Sequence, residues 1–261
     1  MLLHVLPQPV PASAQLVNLV VGDYLVRLAV SPDDVLAAQE LRYRVFRGEL
    51  GEGLPGADEL RRDEDHFDSQ FDHLLLCDRN SGECVGTYRL QTANSAKNGA
   101  GFYCDGEFQL AELPQTLLEQ GIELGRACIA KEHRRSAALL ALWRGLAAYL
   151  LHHGKRYLFG CCSLTGVDPQ LARVAARWLE LHGYQHGALR CGIRPGLGID
   201  AGQVAESELA AFRLPHLFGT YLRYGAKVCG GPALDREFGT TDFLIVLDVA
   251  ELTPRQRSMF F

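Results

Sequence analysis

The sequence predicts an α/β domain with a mixed central sheet flanked by helices, and three observations carry that expectation. The 261 residues are 48% hydrophobic and 22% charged, an ordinary globular balance with enough chain for a substantial core. Short β-prone runs are interleaved with segments of 3.6-residue apolar periodicity, the order expected of layered α/β architecture. One stretch, residues 122–168, reads strand, basic turn, helix, strand, turn, and it also contains the residues best suited to chemistry. No internal repeat or low-complexity tract interrupts the chain, so residues 23–261 read as a single domain. Residues 1–22, broken by Pro7, Pro9 and Pro11, read as a flexible arm.

Each element has its own warrant. Residues 24–30 alternate enough for a first strand, and Ser31-Pro32-Asp33-Asp34 then starts a helix, with Ser31 as N-cap and Pro32 at the first helical position. That helix carries Arg42 and Phe46 and ends near Gly48; residues 48–62, rich in glycine and acid, read as a mobile loop. After the acidic cluster of residues 63–68, two strands over 71–77 and 84–90 flank a turn-forming stretch and read as a hairpin. Residues 91–121 carry little chemical signal. In the central stretch, Leu139, Leu140, Trp143, Leu146 and Leu150 form a helical apolar stripe that stops at Gly154. The run 157–163 is a second buried strand. Beyond it, Asp168-Pro169 opens a helix that ends at Gly183, residues 212–224 suggest a helix, 226–229 a strand, and 241–249 a last strand of strong β-propensity.

Composition narrows the function. A net charge of −5 argues against a general nucleic-acid binder. Eight cysteines, several inside apolar runs and none in Cys-x-x-Cys spacing, read as buried thiols of a reducing compartment. His182 and His186 have helical metal-pair spacing, but Gly183 lies between them and no further ligand completes a set, so no metal is expected. The N-terminus lacks a basic leader region and no run approaches the ~20 apolar residues of a membrane span, which points to a cytosolic protein, at most peripheral to the membrane.

Glu123 and Arg126 stand three apart in the first strand of the central stretch, so regular pleating would send them to opposite faces. A bulge at Gly125 puts both on one face. The turn 131–136 that follows, ending in Ser136 as N-cap, offers backbone N–H groups, a helix dipole and arginines to an anion; a solvated basic turn is the alternative.

Strand, phosphate-binding turn, helix and diverging strand together resemble the core unit of GNAT-type acyltransferases. Glu-Leu-Gly-Arg at 123–126, Leu-Trp-Arg-Gly-Leu at 142–146, Leu-Phe-Gly-Cys at 158–161 and Asp-Phe-Leu at 242–244 are similar to the bacterial ornithine N-acyltransferase family, itself related to the acyl-homoserine-lactone synthases. The resemblance spans about residues 25–250 and implies a GNAT-like fold. It also implies transfer of a 3-hydroxyacyl chain from acyl carrier protein to the α-amine of ornithine, with no cofactor beyond the carrier thioester. By the same resemblance Glu123 and Arg126 are the catalytic pair, and Arg42, Phe46, Asp65, Asp68 and Arg89 form the acceptor site, though each ionic member alone could equally be a structural ion pair. Arg134, Arg135, Ser136, Ala137 and Ala138 replace the usual glycine-rich phosphate turn, which leaves the choice between carrier protein and coenzyme A open. Glu52 stands where the lactone synthases have a tryptophan. Lys131, Arg144, Lys155 and Arg156 are the expected docking cations for an acidic carrier protein.

In chemical terms Glu123 is the expected base for the attacking amine, and bulge N–H groups polarise the thioester. Another amine acceptor is the alternative within the class. A non-catalytic carrier- or lipid-binding module is the alternative outside it, opposed by the retention of Glu123 and Arg126.

Overall fold

The computed structural model describes residues 17–261. Its strands form one mixed nine-stranded sheet. β1 (Asn18–Val21), β2 (Tyr24–Leu28), β3 (Asp72–Asp78), β4 (Cys84–Thr92) and β5 (Gly121–Ile129) run antiparallel in chain order, and β6 (Tyr157–Thr165) lies parallel beside β5. β7 (Lys227–Val228) and β8 (Ala233–Asp235) both pair with β9 (Thr240–Asp248), which is antiparallel to β6. The α-helices of the described residues are α1 (Pro32–Val45), α2 (Ala57–Leu60), α3 (Ala93–Asn98), α4 (Gln115–Glu119), α5 (Ser136–His152), α6 (Pro169–Leu181), α7 (Glu206–Ala211), α8 (His216–Arg223) and α9 (Pro254–Phe260).

Alternation along the strands divides the core between two faces. Val26, Leu74, Leu76, Tyr88 and Ile122 pack against the apolar stripe of α5, and Cys162, Phe243 and Ile245 continue that face under α6 and α8. On the opposite face Leu41 and Val45 of α1 meet Cys128, while Phe108 and Leu110 from the chain before α4 meet Phe159 and Leu244. The expected α/β architecture is thus present, and every thiol is free.

The feature that positions the site is the parting of β5 from β6. They are paired only from Gly121–Tyr157 to Glu123–Phe159 and then diverge. Gly160 permits the last close approach: a Cβ there would lie 2.2 Å from the Leu124 carbonyl oxygen. On its other edge β5 carries a bulge, because Thr87 faces Cys128 and Arg89 faces Gly125, leaving Arg126 and Ala127 opposite Tyr88. The expected bulge is therefore there, and the left-handed residue in it is Arg126, at φ 49°, rather than the glycine.

Some local expectations need correction. The arm does not extend to residue 22: Val17 is buried, and Asn18–Val21 pairs with β2 through a two-residue turn in which Gly22 is left-handed. Its first sixteen residues lie outside the described range. Residues 48–62 are not an open loop, since α1 runs on into a π-helical turn (Phe46–Leu50), α2 follows, and the Gly53 N–H donates to the Phe238 carbonyl. Ser31 and Pro32 start α1 as expected, but Ser136 is the first residue of α5, preceded by Arg135 as an N-cap without a side-chain bond. The helix expected over 212–224 begins at His216, because Pro215 sets its first turn.

The Gly160 contact gives a direct test. Gly160→Ala must push β6 off β5 and should destabilise by about 1–3 kcal/mol. Gly125→Ala, which has open space around its Cβ and no left-handed backbone, should be neutral or slightly stabilising. Urea unfolding midpoints of the two variants check the contrast.

Candidate active site

Six charged side chains from four parts of the chain close into a ring on the α1 face of the sheet. Arg42 Nε reaches Asp63 Oδ2 at 2.9 Å, and the same oxygen receives Arg126 Nε at 3.1 Å. Arg126 Nη2 lies 3.3 Å from Asp65 Oδ2, whose Oδ1 takes Arg89 Nη1 at 2.5 Å. Arg89 Nη1 also meets Asp68 Oδ1 at 2.9 Å, and Asp68 Oδ2 returns to Arg42 Nη2 at 2.8 Å. Three arginines thus neutralise three aspartates, with Gln39 adding a hydrogen bond to Asp68. Local structure fixes the acids: Asp65 caps the 3-10 turn His66–Ser69, and the Asp68 side chain accepts from the Asp65 N–H. Burial disfavours charge on Asp68, but Arg42 and Arg89 outweigh it and hold the carboxyl well below the usual range.

The structure therefore brings together Arg42, Asp65, Asp68, Arg89 and Arg126. Arg42 and Arg89 are essentially inaccessible. Phe46 stands apart from them, edge-on to Phe238, whose ring also lies 4.1 Å from the Arg126 guanidinium carbon.

Glu123 shares the face of Arg126, as the bulge requires, yet its carboxylate is enclosed. Gln91 Nε2 donates to it at 2.6 Å, the Cys104 N–H at 2.7 Å and the Tyr103 N–H at 3.1 Å. Burial raises this group's pKa while the Cys104 and Gln91 bonds pull it down. Its evident structural effect is to pin residues 103 and 104 beside β5. That pinning sets the Tyr103 hydroxyl to accept from Arg126 Nη1 at 3.3 Å.

A cavity of about 310 Å³ passes through the parting of β5 and β6. On the α1 face its wall carries the polar groups of Arg126, Tyr103, Glu52, Cys161, Ser163 and Asp242, beside the apolar Phe46, Leu50 and Phe238. On the other face it is apolar, bounded by Trp143 and Leu146 of α5, Phe218 and Tyr221 of α8, Ile245 of β9 and Phe260 of α9. Gly125, Arg126 and Ala127 of the bulge and Gly160 line the passage between them.

A family model described as an acetyltransferase (GNAT) domain matches residues 41–144, which contain the whole ring and the start of α5. The L-ornithine N(alpha)-acyltransferase of Rhodobacter capsulatus is 36% identical over 245 residues, covering 91% of this chain and 94% of that protein. The chain belongs to the L-ornithine N(alpha)-acyltransferase family. The family's Rhizobium meliloti member is 35% identical over 240 residues, covering 88% of this chain and 81% of its own. Among solved structures, FeeM, an N-acyl amino acid synthase from uncultured soil microbes, has a TM-score of 0.52 at 13% identity, covering 90% of this chain and 97% of its own. The AHL synthase LasI has a TM-score of 0.50 at 16% identity, covering 91% and 94%. At such identities these likenesses concern the fold, and that fold is the expected GNAT-like one.

For an L-ornithine N(alpha)-acyltransferase family member, the basic residues fall into two groups. Lys131, Arg134, Arg135, Ser136 and Ala137 are exposed at the start of α5, with Ala138 buried beneath them, and Arg134 is paired with Glu49 at 2.8 Å. Arg144 is exposed along the helix and donates to the Met259 carbonyl. Lys155 and Arg156 lie past the other end of this 17-residue helix, about 25 Å away, bonded to the Glu119 carbonyl and to Asp248. The structure does not gather the expected docking cations into one patch.

Several residues in and around the cavity escaped sequence reasoning. Tyr103, Cys104 and Glu107 sit in irregular chain with no periodicity to mark them. Asp63, bonded to two of the arginines, could have been found as the third acid of its cluster. Glu52 is buried, lines the cavity, and accepts from Thr165 Oγ1 at 2.6 Å. Burial raises its carboxyl above the ordinary range, against the Thr165 bond.

The ring makes stability acid-sensitive with a definite sign. Because the folded pKa of Asp68 is depressed, its contribution is full above the unfolded value near pH 4 and drains away as pH falls toward the folded one. Asp68→Asn should lose about 3–5 kcal/mol at neutral pH, since it leaves buried guanidinium charge unpaired. Its melting temperature should then fall less steeply than the wild type's between pH 5 and pH 3. Parallel slopes would place the acid sensitivity in other carboxylates.

Proposed function

We propose that the protein transfers a 3-hydroxyacyl chain from acyl carrier protein to the α-amine of L-ornithine, giving lyso-ornithine lipid. The observation that carries this reading, beside the family membership, is the cavity through the sheet, with polar groups on one face, an apolar wall on the other and the bulge lining the passage between. A thioester lying in the passage would have its acyl chain against Trp143, Leu146 and Phe218 and its carbonyl within reach of bulge N–H groups, while an amino acid would approach from the Arg126 side.

The amine must be neutral to attack. Glu52 is the carboxylate we assign to take its proton, because it lines the cavity and its burial shifts it toward a useful range. Glu123, the residue the sequence suggests for that role, is spent on three hydrogen bonds and is assigned to positioning. Arg126 holds Tyr103, and burial keeps that phenol protonated, so its hydroxyl can donate to the departing thiolate. For the phosphopantetheine arm, Arg134, Arg135 and the N–H groups of Ser136 and Ala137 offer an anion site, with Ala138, whose N–H donates to the Arg135 carbonyl, closing the first turn beneath it. Of the expected docking cations we retain Lys131, beside it; Lys155 and Arg156 are too distant and already bonded. Among the described residues no helix is long and apolar enough to cross a membrane.

Two measurements separate these roles. In an assay with purified carrier thioester and ornithine, Glu52→Gln should lower kcat by about 100- to 10,000-fold and remove the acid limb of the pH–kcat profile. Glu123→Gln cannot accept both backbone N–H groups as the carboxylate does, so it should lower the melting temperature; loss of the acid limb in this variant instead would restore it as the base. On the donor side, Lys131→Glu should weaken use of the carrier thioester, steeply at low salt, and affect the corresponding coenzyme A thioester much less. Equal losses with both donors would remove this helix end from carrier docking.

A further inference from the structure

We propose that Glu107, Asp242 and Cys161 form a socket for the side-chain ammonium of the amino-acid acceptor. This socket, rather than the aspartates at 63, 65 and 68, would select a diamino acid over a neutral one. The inference rests on ornithine being the acceptor and adds where its second charge is read.

The three side chains come from separate elements. Glu107 follows the 3-10 turn Tyr103–Gly106, Cys161 is on β6, and Asp242 is on the neighbouring β9, opposite Ser163. One ligand atom from each lies within 4.8 Å of the others. Glu107 is 6% exposed and Asp242 3%. No basic side chain pairs with them: besides each other, their partners are Cys161, whose Sγ stands 3.7 Å from Glu107 Oε1, and Thr240, whose Oγ1 donates to Asp242 Oδ2 at 3.2 Å. Glu107 Oε2 and Asp242 Oδ1 have no donor among the described residues other than a proton shared between the two carboxyls themselves. Two enclosed carboxyl groups can both ionise only if a cation joins them, and until then they must share a proton.

The cavity supplies the approach. Asp242 and Cys161 line it on the same polar side as Arg126 and Glu52. An amino acid with its α-amine at the bulge can therefore extend its side chain toward β6 and β9. A primary ammonium has three N–H donors, enough to engage both unused oxygens. The ring offers no comparable place, since each of its aspartates already faces two guanidinium groups and an ammonium would have to displace one. Burial raises both carboxyls, with the charge of Asp242 adding to the rise at Glu107 and that of Asp235 to the rise at Asp242, so the pair retains a proton that an entering ammonium would expel.

The test compares ornithine with norvaline, which has the same carbon chain and no second amine. In steady-state assays with carrier thioester, Asp242→Asn and the nearly isosteric Glu107→Gln should each raise KM for ornithine at least tenfold. KM for the donor should stay constant, and KM for norvaline should be unchanged or lower. Melting temperatures should hold or rise, because each variant removes buried repulsion; if Asp242→Asn fails to fold, Glu107→Gln carries the comparison. Equal shifts for the two amino acids, or no shift for ornithine in a folded variant, would overturn the socket while leaving ornithine acylation intact. Complete inactivity of the wild type with ornithine would overturn the acceptor assignment and the socket with it. Equimolar zinc binding by the wild type, lost in Cys161→Ser, would replace the socket with a metal site.

Discussion

The alternating ring of three arginines and three aspartates is the constraint on which the rest of the site depends. It ties α1, the 63–68 segment, β4 and β5 to one another at a place where the sheet cannot do so, because β5 is bulged on one edge and parted from β6 on the other. Buried ion pairs are not a cheap source of stability, since desolvation offsets much of their attraction. What the ring supplies is definition: moving any member leaves at least two opposite charges exposed to an apolar surrounding. Arg126 can hold a left-handed backbone conformation because its guanidinium is fixed from three sides, by Asp63, Asp65 and Tyr103.

Much of this was legible in the sequence, for identifiable reasons. Three-residue spacing of Glu123 and Arg126 in a strand demanded a bulge, and one is present, although the strained position falls on the arginine. Ser31-Pro32 located the start of α1 because both residues act locally. Arg42, Asp65, Asp68, Arg89 and Arg126 were each visible, but nothing in their spacing disclosed that they contact one another rather than a substrate. Closure of the ring is a tertiary fact, spread from residue 42 to residue 126. The polar wall with Tyr103, Cys161 and Asp242, and Glu107 behind it, was harder still. Two of those residues lie in irregular backbone, and the other two are polar side chains inside strands whose apolar character dominates any pattern.

The distribution of polarity in the cavity follows from strand alternation. Successive residues of β5, β6 and β9 point to opposite faces, so Phe159 and Leu244 face one layer while Cys162, Phe243 and Ile245 face the other. A passage through the sheet therefore meets two environments within the thickness of one strand layer. No hinge or added domain is needed to hold an ionic group and a hydrocarbon chain close together. β7 and β8 pair with β9 on its far edge, and the turn between β8 and β9 returns Phe238 to the cavity wall.

The short pairing of β5 with β6 has one more consequence, concerning how a threaded molecule departs. A compound with its head on one face of a sheet and its tail on the other would be trapped if the strands were bonded on both sides of it. Here the ladder ends at Glu123 and Phe159, and beyond that point the two strands stay apart. The passage is a slot with an open end, so such a molecule can slide out along the strand direction, head and tail together, without breaking a single interstrand hydrogen bond.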